Sequence, residues 1–274
     1  MSLLGRCLTG VRVGRQSRVF HRYASSAKVG FVGLGHMGSK MVKHIADNGH
    51  AMLVFDRSKE AMKAMEESAA AGLPITVASS VKEVAENCDV VISMLPNDVI
   101  VSKISLELLE SAKSKDFVHV SCSTVSPSTS RQLALEYEDA PTPCTFIASP
   151  VFARPDGVTR KEATWMVSGS ARGKDVVMQY LTLMGRVEDY GDDAGAANVV
   201  KLCGNFLISS SIEAIGEAMA LAEKNGVPPQ QVMDLLSSTI FDCLIYKVCN
   251  LNPNINPNPH VMSCHVMLIL YCIQ

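Results

Sequence analysis

The 274-residue chain is poor in aromatics, at 5% with a single tryptophan, and its formal charge is only −2. Near-neutrality removes the electrostatic reason to expect a nucleic-acid or membrane-surface partner. No charge-free apolar run reaches the roughly 20 residues that span a bilayer, so no membrane partner is expected. The nine cysteines form no C-x-x-C pair. That argues for reduced thiols in a matrix or cytosol, and against a disulfide framework or a metal site. Two segments lack charge of one or both signs. Residues 1–27 contain no Asp or Glu but carry Arg6, Arg12, Arg15, Arg18 and Arg22. This is the composition of a mitochondrial transit peptide, and it predicts a matrix location with cleavage near Tyr23; a basic tail without that role has the same composition. Residues 248–274 have no charged side chain at all, and the Asn-Pro alternation of 250–260 opposes helix and sheet alike. The tail is expected to be disordered and foreign to the preceding fold.

From residue 28 onward apolar, strand-like runs alternate with helix-like segments. The runs are 28–33, 51–55, 89–94, 116–120 and 163–168; the helical segments include 37–48, 58–70, 97–112 and 126–138. This alternation predicts an α/β fold, a mainly parallel, doubly wound sheet of Rossmann type with helices on both faces. After Gly191 the strand signals stop. Residues 193–224 read as one long helix, ended by Gly226, Pro228 and Pro229. Being apolar on most sides, it is expected to be buried. A domain boundary near 191 follows: 28–191 would be a dinucleotide-binding domain, and 192–247 part of an all-helical one.

Gly33-Leu34-Gly35-His36-Met37-Gly38 is G-x-G-x-x-G between a strand-like and a helix-like run, and a second strand ends at Asp56. That context makes the motif a dinucleotide fingerprint. Gly33 permits the tight turn, Gly35 lets the backbone approach a pyrophosphate, and Gly38 lets helix and strand pack closely. The helix N-terminus offers unpaired N–H groups to the phosphates. Asp56 suits the ribose hydroxyls and would repel a 2′-phosphate, which favours NAD; Arg57 beside it could meet that phosphate, so NADP is the lesser expectation.

Three further places could carry chemistry. Lys201 and Asn205 share a helix face among apolar neighbours, where a dehydrated lysine can exchange a proton near neutral pH. A snorkelling lysine and a satisfied core asparagine fit the same spacing. "SCSTVSP" (121–127) could line a polar pocket at the carboxyl end of the sheet, or could simply cap a helix through Ser126 before Pro127. Arg154 could pair with a substrate carboxylate or be an ordinary solvated arginine.

Taken together, "GFVGLGHMGSKM" (30–41), "SMLP" (93–96), "STVSP" (123–127) and "GAANVVKLCGN" (195–205) resemble the β-hydroxyacid dehydrogenase family, most closely its 3-hydroxyisobutyrate dehydrogenase branch. The resemblance runs from about 28 to 247, and "SSTIFDCLIYK" (237–247) resembles a later helical segment of that family. It implies a Rossmann domain joined by a long helix to a helical, often dimerising domain, with a small hydroxy acid as substrate. Leu95 and Pro96 would line the cofactor cleft, Thr124 would lie by the nicotinamide ribose, and Ser123 would face the substrate. Lys201 would be the general acid–base and Asn205 would orient the substrate. The family's substrate loop reads D-x-P-V-S-G-G, whereas Phe152, Ala153 and Arg154 stand here in place of Ser-Gly-Gly. Arg154 is then a candidate for the missing anion contact. Family members continue with further helices where this chain enters its Asn-Pro segment, which predicts uncovered apolar surface on 193–240 and homo-oligomers only if the helical domain is complete. Within the same superfamily, Gly204 departs from the histidine of 6-phosphogluconate dehydrogenases, Asp56 disfavours an NADP-linked glyoxylate or succinic semialdehyde reductase, and Lys201 departs from imine reductases. The alternative of another class is a catalytically inactive dinucleotide-binding or interaction protein.

Overall fold

Val29–Val32 (β1) is an apolar tetrad buried on both faces, as a central strand of a parallel sheet must be. In the computed structural model, which describes residues 29–113, 116–142, 144–243 and 245–246, it pairs in parallel with Met52–Phe55 (β2) and Val90–Ser93 (β4). Ile75–Val77 (β3), Phe117–Ser121 (β5) and Cys144–Ala148 (β6) extend this parallel array. Ala163–Gly169 (β8) then joins β6 antiparallel, with Val151–Phe152 (β7) antiparallel and Gly185–Asp189 (β9) parallel to it. The path is β3-β2-β1-β4-β5-β6-β8-β7, with β9 on β8. Strand order reverses between β1 and β4, and such a reversal opens a crevice at the carboxyl ends of the strands. The transit-peptide reading of 1–27 and the tail reading of 248–274 fall outside the described residues.

Helices Gly38–Asp47 (α1), Lys59–Ala70 (α2), Val81–Asn87 (α3), Asp98–Ser111 (α4) and Pro127–Glu138 (α5) connect the first strands. Their starts follow from local chemistry: Ser58, Ser80, Asn97 and Ser126 each accept a backbone N–H of the first turn through the side chain. Pro155–Thr159 (α6) and Ala171–Leu181 (α7) complete this region. The alternation in the sequence locates β1, β2, β4, β5 and β8, but not the short β3, the two-residue β7, or β6 and β9. Gly185–Asp189 carries Arg186, Glu188 and Asp189 and is a strand because β8 offers it a full parallel ladder.

Ala196–Lys224 (α8) runs for 29 residues and packs on β8, α5 and Pro229–Leu236 (α9). Expected to be buried all round, it is buried along one face only, through Ala197, Asn198, Lys201, Ile212, Ile215, Gly216 and Met219. Phe206, Leu207 and Leu221 are more than 60% exposed. The physical reason is that α8 has β8 and α5 at one end and α9 at the other, and no described element covers its opposite side. By length and composition alone α8 could cross a bilayer; it also carries Lys201, Glu213 and Glu217. The expected helix over 237–247 is absent from 237–241, which form turns. The N–H groups of Ser238 and Thr239 bond three residues back, to the carbonyls of Leu235 and Leu236, and their hydroxyls share the same acceptors, so the last turn of α9 tightens and stops.

Beneath the crevice lies a buried polar chain. Tyr137 donates its hydroxyl to the Ser105 carbonyl at 2.7 Å and sits 3.1 Å from His119 Nδ1; His119 Nε2 is 2.9 Å from Ser93 Oγ. With the tyrosine proton committed, Nδ1 donates to Tyr137, and Nε2 accepts from Ser93. Complete burial lowers the His119 pKa to about 3, so the ring is neutral in the fold. Between this value and the usual 6.5 the unfolded chain binds the extra proton, so stability falls as pH drops below about 6.5. By pH 5 about 2 kcal/mol should be lost, read as a lowered urea midpoint, and His119→Phe should flatten that part of the slope.

Candidate active site

The glycine turn is held by contacts that no side chain could share. Gly33 has φ +100°, in the left-handed region, and Gly38 lies so close to the turn that a Cβ there would overlap the Gly33 carbonyl oxygen and come 3.0 Å from Phe31 Cε1. A Cβ on Gly35, in contrast, would meet nothing within 4 Å. This bare stretch of backbone faces open space, as a pyrophosphate cradle requires. No side chain caps the N-terminus of α1 and no acidic residue stands in its first turn, so its positive end is unopposed.

Asp56, at the end of β2, ties the turn to the next helix. Its carboxylate accepts the Leu34 N–H at 2.6 Å and the Ser58 N–H at 2.7 Å. Each oxygen retains a lone pair for a ribose hydroxyl. A cavity of about 1060 Å³ opens here and collects Gly33, Gly35, His36, Met37, Asp56, Arg57, Leu95 and Pro96. Its far wall, from α4, brings Ile100, Lys103, Ile104 and Glu107, none of which the sequence signals singled out. Leu34 and Gly38 shape the turn without lining the cavity: both are buried.

The loop after β5 is pinned from two sides. Ser123 Oγ accepts the Leu95 N–H at 2.8 Å, which ties it to the cavity rim. Asp98 of α4 accepts the Ser126 N–H and the Thr129 hydroxyl. From α8, Asn198 accepts the Val125 N–H at 3.2 Å and donates to Ser130 at 2.9 Å. Ser126 does cap α5, and Ser123 at 1% exposure is a separate, inward-facing group. Thr124 between them is half-buried. Asn198 escaped notice in the sequence; its signal is the spacing of three from Lys201, which puts both on one helix face.

Lys201 follows one turn after Asn198. It is only 1% exposed, so it does not snorkel. Its Nζ lies 4.3 Å from the centroid of the Phe152 ring, and no carboxylate of the described residues is within ion-pair distance. The ring face favours the ammonium by about 0.5–2 kcal/mol. Burial without a counter-ion wins: it brings the pKa down from 10.5 to about 8, a differential on the order of 3 kcal/mol. Asn205, one turn further along, has a buried Oδ1 with no partner, so it is not the satisfied core amide that the spacing also allowed. Arg154, the residue before α6, is exposed and has no ion pair among the described residues. No contact brings it to the Lys201 face, although its neighbour Pro155 lines the cavity. Phe152 is the residue here whose position could not be foreseen.

A dinucleotide turn, an open crevice and a buried amine on an adjoining helix define an oxidoreductase of the Rossmann class. Residues 28–203 match the family model described as the NAD binding domain of 6-phosphogluconate dehydrogenase. Residues 195–248 match that described as the NAD-binding domain of NADP-dependent 3-hydroxyisobutyrate dehydrogenase. The mitochondrial 3-hydroxyisobutyrate dehydrogenase of Drosophila melanogaster is 30% identical over 241 residues, covering 88% of this chain and 72% of that protein. The 3-hydroxyisobutyrate dehydrogenase of Pseudomonas aeruginosa is 31% identical over 214 residues, 77% of this chain and 69% of that one. Among solved structures, Mycobacterium tuberculosis 3-hydroxyisobutyrate dehydrogenase, with L-serine, superposes with a TM-score of 0.70 at 26% identity over 81% of this chain and 73% of that chain. The chain belongs to the β-hydroxyacid dehydrogenase family, whose members are NAD(P)-dependent dehydrogenases acting on a CH–OH group.

The close fit at Gly38 makes a direct prediction. Gly38→Ala must push α1 off the glycine turn, with a loss of about 1–3 kcal/mol from overpacking. A thermal melt should show the loss, and NAD titrated against the full chain should bind at least tenfold more weakly, because the N–H groups of the turn move with the helix.

Proposed function

We propose that this protein oxidises a small β-hydroxy acid with NAD, and that 3-hydroxyisobutyrate, an intermediate of valine breakdown, is its substrate. The observation that carries the reading is the burial of Lys201 without a carboxylate partner, which leaves its amine free to exchange a proton near neutral pH. The relatives named 3-hydroxyisobutyrate dehydrogenase support the choice of acid.

In this reading the glycine turn and the α1 N-terminus hold the pyrophosphate, Asp56 holds the adenosine ribose, Leu95 and Pro96 border the cleft, and Thr124 lies by the nicotinamide ribose. NAD, when bound, supplies the hydride acceptor. Lys201 takes the hydroxyl proton as the C–H bond gives up its hydride, so that the carbinol becomes a carbonyl. In the reverse direction the ammonium returns the proton. Ser123 has one lone pair engaged by the Leu95 N–H, and its own proton is left for a substrate oxygen. The Asn205 amide, with Oδ1 unpartnered, orients the hydroxy acid. Arg154, just beyond β7, receives the carboxylate, since Phe152 and Ala153 before it offer no side-chain donor. We read 28–191 as the dinucleotide domain and 192–247 as part of a helical substrate and dimerisation domain; the exposed Phe206 and Leu207 support a homo-oligomer. Relatives named mitochondrial, with the arginine-rich composition of 1–27, support the mitochondrial matrix as location.

Lys201→Ala should lower kcat by about 10²–10⁴-fold, the usual contribution of general acid–base catalysis, while NAD binding is retained. In the wild type the neutral amine is the base, so kcat/KM for oxidation should rise with pH and level off above about 8. The reductive direction needs the ammonium and should decline above the same value. An enzyme that binds NAD yet oxidises no short 3-hydroxy acid would be an inactive dinucleotide-binding protein instead. Arg154→Met should raise KM for the acid by roughly tenfold or more with little change in kcat, as loss of a charge-assisted contact does; an unchanged KM for every acid turned over would remove Arg154 from the site.

A further inference from the structure

Phe152 belongs to β7, where it pairs with Thr164 of β8, so its backbone is fixed by a sheet and not by a free loop. Its ring reaches across to α8 and touches two residues of one helix face. One is Lys201, whose Nζ lies 4.3 Å from the ring centroid. The other is Gly204, where a Cβ would overlap the ring tip at Cζ and lie 2.5 Å from Cε1. The ring can rest over the amine only because position 204 has no side chain. An aromatic ring offers a carboxylate no hydrogen-bond donor, and the face of this one is turned to the Lys201 amine. The part of a substrate that meets this wall must therefore be hydrocarbon.

Building on the dehydrogenase reading above, we propose that Phe152 is the specificity-determining wall of the substrate subsite and the positioning residue for the Lys201 amine. It selects hydroxy acids that present an alkyl substituent to its ring, and directs their carboxylate away from that ring. The 1% exposure of Lys201 agrees with this shielding. Gly204 is the complementary half of the device, since any larger residue there displaces the ring from the lysine.

Full-length wild type, Phe152→Ala, Phe152→Leu and Gly204→Ala test this in two assays. The first is kcat/KM with NAD for 3-hydroxypropanoate and for its 2-methyl homologue. One methyl against an apolar wall should favour the methylated acid by roughly tenfold or more in the wild type. That preference should shrink to about threefold or less in Phe152→Ala and Gly204→Ala, and persist in Phe152→Leu, which keeps an apolar wall. The second assay is competitive acetylation of Lys201 without substrate, near the amine's own pKa of about 8, read by peptide mass spectrometry. Acetylation should accelerate several-fold in Phe152→Ala and Gly204→Ala. Gly204→Ala puts a better helix former into α8 and carries both assays should Phe152→Ala fail to fold. The proposal is overturned if both variants keep the wild-type preference, or if Lys201 is acetylated in them at the wild-type rate. A wild type that oxidises neither acid, with acetylation still accelerated, removes the dehydrogenase reading and leaves Phe152 as the shield of Lys201. Turnover of both acids with neither readout changed does the reverse.

Discussion

A lysine amine held out of water without a counter-ion is the constraint on which the functional architecture turns. Burial of an unpaired ammonium is unfavourable, and a protein ordinarily avoids it by pairing the charge or letting the side chain snorkel. Neither happens at Lys201, which is 1% exposed, lies over the Phe152 ring and has its pKa lowered to about 8. The arrangement persists because α8 is anchored on both sides of that residue. Asn198 bonds it to the loop after β5, and the contact between Gly204 and Phe152 brings it against β7.

The other half of the site is built on the opposite principle, absence of side chains. At Gly33 and Gly38 the backbone approaches itself so closely that a methyl group cannot be added, while at Gly35 it stands open. Asp56 joins this turn to the start of α2 through two backbone N–H groups. The loop after β5 then links the two halves, since Ser123 bonds to the cavity rim at Leu95 while Asn198 reaches the same loop from α8. Displacement of that loop would disturb the crevice and the helix together.

Much of this was legible in the sequence because it rests on local rules. The glycine spacing, the apolar runs of β1, β2 and β4 and the Ser126 cap act within a few residues of one another. Of the strands that went unread, β3 and β7 are short and β9 is polar, and they owe their state to the ladder beside them; β6 is an apolar five-residue strand that was simply missed. The long helix shows the same limit from the other side. Its composition called for burial on all sides, yet Phe206, Leu207 and Leu221 are exposed, because burial depends on which elements lie alongside and not on the helix's own residues. The run 237–241 failed to continue as helix where the N–H groups of Ser238 and Thr239 turn to carbonyls three residues back, with their hydroxyls on the same acceptors.

What the sequence determined unaided was a dinucleotide turn followed by an acidic strand end, and a lysine and an asparagine one turn apart on a helix. These depend on backbone conformations and on a 3.6-residue period that neighbours cannot alter. Only the tertiary structure decided that Lys201 is buried and unpaired rather than snorkelling, and that the aromatic ring over it is Phe152. Solvation and ring placement are set by groups dozens of residues away, brought into contact when β7 and α8 pack against β8.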